Sequence, residues 1–187
     1  MFQKTKIKKL VFLLLVFCLM AGSFSVKAQA AATAGSKAEA IVKKNVKSGD
    51  SAKKKLKKLF TYIQKNYDYA RAMGFKTYNG WEKDYALEMY TKKKGSCYHY
   101  AAAYAFLARK ATGYQVRIGV GKTNGFSGNL QDHAWTEVKV GSKWYICDTN
   151  LDKYAAKSSG KYFLKKRDNL KKVYNNYKDA KYYKVKS

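Results

Sequence analysis

Cys97 is the residue whose type and position are best suited to chemistry. It follows a Gly-Ser pair and opens an alanine-rich segment, "CYHYAAAYAFLARKATG", that is typical of a helix. Backbone N–H groups at a helix start are unpaired, and the helix dipole adds partial positive charge there. Both effects favour the reactive thiolate, and the same N–H groups can bind an oxyanion. Cys97 is therefore a candidate nucleophile for acyl transfer.

A cysteine nucleophile needs a nearby base, and the chain contains two histidines. His99 lies two residues after Cys97, about 200° around the same helix, so it cannot face the thiol. His133 lies in "DHAWTEVKV", a segment that is typical of a strand. His133 is therefore the remaining candidate for the base.

Asp148 is the candidate for orienting His133. If Gly141-Ser142 forms a two-residue hairpin turn, Val140 pairs with Lys143. His133 and Asp148 are then diagonal neighbours on one face of the sheet, with their backbones about 7–8 Å apart. Their side chains can meet, which predicts a Cys-His-Asp triad.

A disulfide bond is the main alternative for the nucleophile. Cys97 and Cys147 are the two cysteines beyond the first 30 residues, and secreted proteins often pair such residues. In the predicted register Cys147 lies on the sheet face opposite His133, which argues against a bond to a cysteine that contacts His133. A second alternative is that Cys97 is an inert filler among alanines.

The elements that must position these residues are predicted from periodicity. "DSAKKKLKKLFTYIQKNY" predicts a helix capped by Asp50 or Ser51, "NGWEKDYALEMYTKKKG" predicts a second, and the segment that ends at Gly113 predicts a third. "YQVRIGVGKT", "DHAWTEVKV" and "KWYICDTN" predict strands, and the tail predicts one short strand and one short helix. The predicted class is α+β, with N-terminal helices packed on an antiparallel sheet.

The first 30 residues have the layout of a secretory signal peptide. Lysines precede an apolar run from Leu10 to Met20, and "AQA" follows at residues 28 to 30. A retained membrane anchor is the alternative, although a span needs about 20 apolar residues. Bulky Phe17 disfavours lipidation at Cys18. The predicted organisation is a signal peptide over residues 1–30, a basic linker over 31–49 and one secreted, extracellular domain over 50–187.

The chain is strongly basic, with a formal net charge of +27. Residues 31 to 187 carry +22, from 34 basic and 12 acidic side chains. Such a charge attracts polyanions, and the expected partners are anionic polymers of the cell wall or the membrane surface. Nucleic acid is not expected for a secreted protein, and no cofactor or metal site is predicted. A non-catalytic module that binds such polymers is the alternative function.

Three segments of the sequence resemble the core motifs of the transglutaminase-like superfamily. They are "GSCYHYAAAYAFLARKATGYQVRIGVG", "DHAWTEVKV" and "KWYICDTNLD", in that order, and with "YFLKK" the resemblance covers about residues 56 to 165. The resemblance implies a papain-like fold, with Cys97 as nucleophile, His133 as base and Asp148 as the orienting acid. It implies acyl transfer from a peptide or glutamine-type amide through a thioester, which passes to water or to an amine.

The resemblance also implies two donors for the oxyanion. The backbone N–H of Cys97 is one, and an upstream side chain is the other. Tyr67, Tyr69, Trp81 and Tyr90 all qualify by type, and their spacing does not choose among them.

Overall fold

Four helices precede a five-stranded sheet in the part of the chain that the computed structural model describes, residues 31 to 186. The helices are α1 (Ala34–Asn45), α2 (Ala52–Asn66), α3 (Trp81–Lys92) and α4 (Cys97–Thr112), and a short helix, α5 (Thr149–Tyr154), follows the third long strand. The strands of the sheet are β3 (Val116–Thr123), β4 (Gln131–Val140), β5 (Lys143–Cys147), β6 (Lys165–Lys166) and β7 (Lys181–Lys184). A separate parallel pair joins β1 (Asp68–Tyr69) to β2 (Lys94–Gly95).

Helix α2 forms as its periodicity predicts. Leu56, Phe60 and Ile63 are fully buried at helical spacing, and lysines cover the opposite side. Ser51 is the N-cap, because its hydroxyl accepts a hydrogen bond from the N–H of Lys54. The helix therefore contributes one apolar face to the core and one basic face to the surface.

Helix α4 is the central element of the fold. Its alanines and tyrosines are almost all buried, and it packs against α1, α2, α3 and the strand β4. Gly113 ends it in the left-handed conformation, with φ of 69°, which favours glycine. Because the rest of the core surrounds α4, the position of its first residue, Cys97, is fixed by packing on several sides.

The sheet is antiparallel with the strand order β6-β5-β4-β3-β7. Val140 pairs with Lys143 across the turn at Gly141-Ser142, which confirms the predicted hairpin register. The observed class is α+β, as predicted, and the N-terminal helices pack on the sheet.

The two faces of the sheet bury different sets of side chains. Ala134, Val138 and Cys147 join the large core on the α4 side. Trp135 and Ile146 belong to a second cluster on the other face, which the C-terminal segment covers. The alternation along β4 and β5 therefore places a packed layer on each side of the sheet.

Three parts of the fold differ from the prediction. The strand predicted over "KWYICDTN" ends at Cys147, and Thr149 and Asn150 belong to helix α5. The segment 31–49, predicted as a basic linker, contains helix α1, whose Ala34 and Ala38 are buried against the core. Ala34, Ala38, Ile41 and Val42 lie at helical spacing and pack on the core, so the periodic signal was present but short. The tail contains two short strands and two 3₁₀ turns, Arg167–Leu170 and Asn175–Tyr177, where one strand and one helix were predicted.

The predicted signal peptide, residues 1–30, lies outside the described residues. From residue 31 to residue 186 no helix is both long and apolar enough to cross a membrane.

Candidate active site

The fold brings the three predicted residues close together, and two of them line one pocket. Cys97 is the first residue of α4, His133 lies near the start of β4, and Asp148 directly follows β5. Cys97 and His133 line a cavity of about 280 Å³. Its full lining is Tyr69, Arg71, Cys97, Phe126, Gln131, Asp132, His133, Asn150 and Tyr154.

His133 and Asp148 are joined by a short hydrogen bond. The distance from His133 Nε2 to Asp148 Oδ2 is 2.6 Å, and both side chains are buried. The hairpin register places the two residues as diagonal neighbours on one sheet face, as predicted. The other ring nitrogen, Nδ1, is buried and has no hydrogen-bond partner among the described residues.

Two further donors hold the Asp148 carboxylate. The Tyr174 hydroxyl donates to Oδ2 at 2.8 Å, and the backbone N–H of Leu151 donates to Oδ1 at 2.9 Å. The second contact makes Asp148 the N-cap of α5. With donors on both oxygens, the carboxylate cannot rotate away from His133 without losing hydrogen bonds.

The environment of His133 favours its charged form. Burial opposes protonation, but the charge and hydrogen bond of Asp148, together with the nearby Cys97 thiol, raise the pKa of His133 to about 10. This shift favours the imidazolium form of His133 at neutral pH, beside the sulfur of Cys97. No hydrogen bond of ordinary geometry joins the two in this structure, and catalytic contacts often tighten only when substrate binds.

The start of α4 is held in place by His99. The Ser96 N–H donates to His99 Nδ1 at 3.2 Å, and His99 Nε2 lies 3.0 Å from a Glu88 oxygen. The ring also stacks on Tyr85 at a centroid distance of 4.2 Å. His99 therefore does not face Cys97, as predicted, and it fixes the turn that carries the thiol.

Cys147 and Cys97 are both free. Burial raises the pKa of Cys147 to about 12. The register places Cys147 on the sheet face opposite His133, as predicted, although both cysteines join the core on the α4 side. His133 meets the thiol at the end of the sheet, where α4 begins.

Among the four candidates for the second oxyanion donor, Tyr69 is the one that lines the pocket. The pairing of β1 with β2 sets Tyr69 opposite Gly95, two residues before Cys97. Tyr90 instead donates its hydroxyl to Ala103 O at 2.6 Å in the core. The remaining two are buried: Tyr67 against Tyr62 and Tyr90, and Trp81 against Tyr85, Tyr98 and Tyr183.

Sequence reasoning missed several residues of the site. Asn150 and Tyr154 line the pocket from α5, and their spacing of four residues was the available signal. Tyr174 reaches Asp148 from the tail, and nothing in the local pattern marks it. Between residues 31 and 186 there is no group of three or more His, Cys, Asp or Glu residues that could hold a metal ion.

Comparisons with solved structures show similarity to known folds. A candidate cysteine protease from Cytophaga hutchinsonii is 16% identical, with coverage of 81% of this chain and 49% of that one and a TM-score of 0.50. A TGase is 18% identical, with coverage of 67% and 35% and a TM-score of 0.49. LapG of Legionella pneumophila is 13% identical, with coverage of 75% and 78% and a TM-score of 0.44.

The chain thus spans about half the length of the Cytophaga hutchinsonii protein, whose similarity supports the fold. A search of curated proteins gave no match. The model of the family described as the transglutaminase-like superfamily matches residues 39–149, a range that includes Cys97, His133 and Asp148. Because this match covers more than half of the sequence, the chain belongs to the transglutaminase-like superfamily.

Proposed function

We propose that the protein is a cysteine-dependent acyl-transfer enzyme that acts on a peptide or glutamine-type amide. Cys97 is the nucleophile, His133 the acid and base, and Asp148 the group that orients His133. The observation that carries the proposal is that the two ring nitrogens of His133 have different environments. Nε2 is bonded to Asp148 at 2.6 Å, while Nδ1 is buried, unpaired among the described residues and near the thiol.

The first half of the reaction forms a thioester. The Cys97 sulfur attacks the amide carbon and forms a C–S bond, and the carbonyl oxygen becomes an oxyanion. Cys97 and Tyr69 both line the pocket, and we assign the backbone N–H of Cys97 and the Tyr69 hydroxyl as the donors to that oxygen. The C–N bond then breaks, and the leaving nitrogen takes the proton from His133 Nδ1.

The second half regenerates the enzyme. His133 is now neutral and removes a proton from water or from an amine, which attacks the thioester carbon. The C–S bond breaks, the thiolate returns, and His133 is again an imidazolium that is stabilised by Asp148. Water as acceptor gives a peptidase or amidase, and a lysine amine gives a cross-linking enzyme.

One experiment reports both outcomes together. The protein is mixed with a glutamine-containing peptide, with and without a primary amine, and all species are weighed by mass spectrometry. We expect a thioester adduct on Cys97, followed by hydrolysed or amine-linked peptide. The absence of any adduct or product in the wild-type protein, or the formation of product by Cys97→Ser, would overturn the proposal.

The predicted location follows from the sequence and supports a role outside the cell. Residues 1–30 have the layout of a signal peptide, and the rest of the chain carries +22. The proposed surroundings are the cell wall and its anionic polymers, with wall peptides or surface proteins as substrates. N-terminal sequencing of secreted protein tests this, and a chain that begins at Met1 or Cys18 would contradict cleavage near Ala30.

A further inference from the structure

Helix α5 presents one face to the candidate active site. The helix begins directly after Asp148, so its position relative to the triad is fixed by the N-cap hydrogen bond to Leu151. Asn150 and Tyr154 are four residues apart and therefore lie on the same side of the helix. Both line the 280 Å³ pocket beside Cys97 and His133.

Asn150 lines this pocket, and its carboxamide is unpaired among the described residues. Its side chain is buried, and neither Oδ1 nor Nδ2 has a hydrogen-bond partner in the described part of the chain. A buried amide without partners destabilises a fold, so its presence beside a reactive cysteine calls for a ligand. A planar group with one donor and one acceptor, such as a peptide unit, satisfies both atoms.

The hydroxyl of Tyr154 is hydrogen-bonded, while its ring is partly exposed to solvent. The Tyr69 N–H donates to the Tyr154 oxygen at 2.9 Å, and the Tyr100 hydroxyl lies 3.4 Å away. The Tyr154 ring packs edge to face on Tyr69, with 5.9 Å between centroids, yet 45% of Tyr154 is exposed. The ring is therefore a preset apolar wall rather than a mobile surface side chain.

Exposed apolar groups concentrate around the pocket. Four large hydrophobic side chains are exposed between residues 31 and 186, and Tyr69 and Tyr154 line the pocket. A third, Leu130, directly precedes the lining residue Gln131. Arg71 and Asp132 supply opposite charges to the lining, and the charge of His133 is balanced by the Asp148 carboxylate bonded to it, so neither sign is in excess.

We propose that the face of α5 with Asn150 and Tyr154 recognises the acyl substrate, and that this substrate is a polypeptide with an aromatic or large aliphatic side chain beside the reacting amide. Asn150 binds a peptide unit, with Oδ1 accepting its N–H and Nδ2 donating to its C=O. The neighbouring apolar side chain packs on the rings of Tyr154 and Tyr69. The inference rests on the proposed function and names the substrate class of that same site.

The pocket volume agrees with this assignment. At about 280 Å³ it is slightly smaller than the roughly 300–1,000 Å³ typical of ligand sites. A short stretch of extended peptide fits such a cavity better than a bulky glycan does. The balanced charges of its lining also disfavour a polyanion inside it, although the rest of the surface is basic.

The test compares two reagents that alkylate Cys97. Iodoacetamide is small and lacks a side chain, whereas a peptidyl chloromethyl ketone with phenylalanine occupies the pocket. We expect Asn150→Leu and Tyr154→Leu each to lower the ratio of the peptidyl rate to the iodoacetamide rate by about three- to tenfold, the range for one lost hydrogen bond or apolar contact. Replacing phenylalanine with aspartate in the reagent should lower the ratio in the wild-type protein as well.

Matched variants separate recognition from folding. Tyr78→Leu is the control for Tyr154→Leu, because Tyr78 is 49% exposed and lies away from this pocket. Gln64→Leu is the stability control for Asn150→Leu, because the buried Gln64 amide is bonded to Asp152 at 2.8 Å. We expect Tyr78→Leu to leave both rates unchanged, Gln64→Leu to lower Tm, and Asn150→Leu to keep or raise it.

Two results would overturn the inference. One is an unchanged rate ratio in Asn150→Leu and Tyr154→Leu. The other is a lower Tm in Asn150→Leu with equal slowing of both reagents, which would make Asn150 a structural residue. A failure of the proposed function would look different, because His133→Gln would then react with iodoacetamide at the same rate as the wild-type protein. The inference would fall with the proposed function in that case.

Discussion

His133 connects an acid to a thiol because its two nitrogens have different partners. Nε2 is committed to Asp148, whose carboxylate is also held by Tyr174 and by the Leu151 N–H. Nδ1 is buried and unpaired among the described residues, which leaves it for the proposed proton transfer at Cys97. The role of each nitrogen is thus set by hydrogen bonds outside the reacting pair, as in other triads.

The two thiols should differ in reactivity. We expect native protein to be alkylated at Cys97 and not at Cys147, because burial raises the pKa of the Cys147 thiol to about 12. Mass spectrometry of proteolytic peptides identifies which cysteine, Cys18, Cys97 or Cys147, carries the label.

Cys97→Ser should abolish turnover and change the free energy of unfolding by about 1 kcal/mol or less, since serine is nearly isosteric. Cys147→Ala is the matched control and should keep turnover. Turnover in Cys97→Ser would exclude the nucleophile.

Asp148→Asn tests the third member of the triad. Asparagine is also a good N-cap, so α5 should persist. Loss of the carboxylate charge removes the main cause that raises the His133 pKa, and burial then lowers it. We expect turnover to fall by a factor of tens or more, on the order of 2 kcal/mol in the barrier. The alkaline limb of the pH profile should move to lower pH.

The control for this change is Asp168→Asn, which alters an exposed carboxylate far along the chain from the triad. It should leave both turnover and the pH profile unchanged. An alkaline limb at the same pH in Asp148→Asn would show that Asp148 does not set the charge of His133.

The raised pKa of His133 also predicts how stability depends on pH. The folded pKa, about 10, lies above the ordinary value of 6.5, so the folded state binds the proton more tightly. This contribution to the free energy of unfolding is fully present below pH 6.5 and is lost as pH rises toward 10. Denaturant titrations of the wild-type protein and His133→Gln between pH 6 and pH 10 measure it. A difference between the two that does not shrink with rising pH would contradict it.

At the scale of the elements, the start of α4 sets the position of Cys97. Gly95 permits the close packing of this turn, since a Cβ at Gly95 would lie 2.4 Å from the Cβ of His99. His99 cannot easily yield, because Glu88 and Ser96 bond its ring and Tyr85 stacks on it. A side chain at position 95 must therefore displace the turn that carries the nucleophile.

We accordingly expect Gly95→Ala to destabilise the protein by about 1–3 kcal/mol, the usual cost of overpacking a core. Turnover should fall as well, because the thiol moves relative to His133. Gly49→Ala is the control, since a Cβ at Gly49 meets no atom within 4 Å. Thermal unfolding and turnover of the two variants are compared. Equal Tm values for the two would show that the turn can adapt.

The hairpin was the element that the sequence predicted in most detail. One tight turn at Gly141-Ser142 fixes the pairing of β4 with β5, and strand alternation then sets the faces of His133 and Asp148. Other parts required contacts that no local pattern encodes. The wall formed by Tyr154 depends on a hydrogen bond from Tyr69, 85 residues earlier in the chain. The segment of helix α1 was interpreted as a linker with some helix, although Ala34, Ala38, Ile41 and Val42 lie at helical spacing and pack on the core.

At the scale of the whole molecule, charge separates the active site from the surface. The pocket lining carries one arginine and one aspartate, whereas residues 31 to 187 carry +22. Part of this positive charge lies on helix α2, where Lys54, Lys57, Lys58 and Lys65 line a groove of about 470 Å³. A basic exterior with a neutral, aromatic pocket is suited to an enzyme that is held on an anionic matrix while it acts on peptides.

Binding to an anionic polymer should therefore weaken with salt and depend on the α2 groove. Exposed charges are screened beyond about 8 Å at physiological ionic strength, so added salt should weaken retention on a sulfated polysaccharide column. The double variant Lys57→Gln with Lys65→Gln removes two charges from the groove. Lys37→Gln with Lys178→Gln removes two exposed charges elsewhere, so both proteins have the same net charge.

We expect the groove variant to elute at lower salt than the control, with turnover on a small peptide unchanged in the control. Equal elution of the two would assign the attraction to net charge alone, and retention that is insensitive to salt would exclude an electrostatic origin.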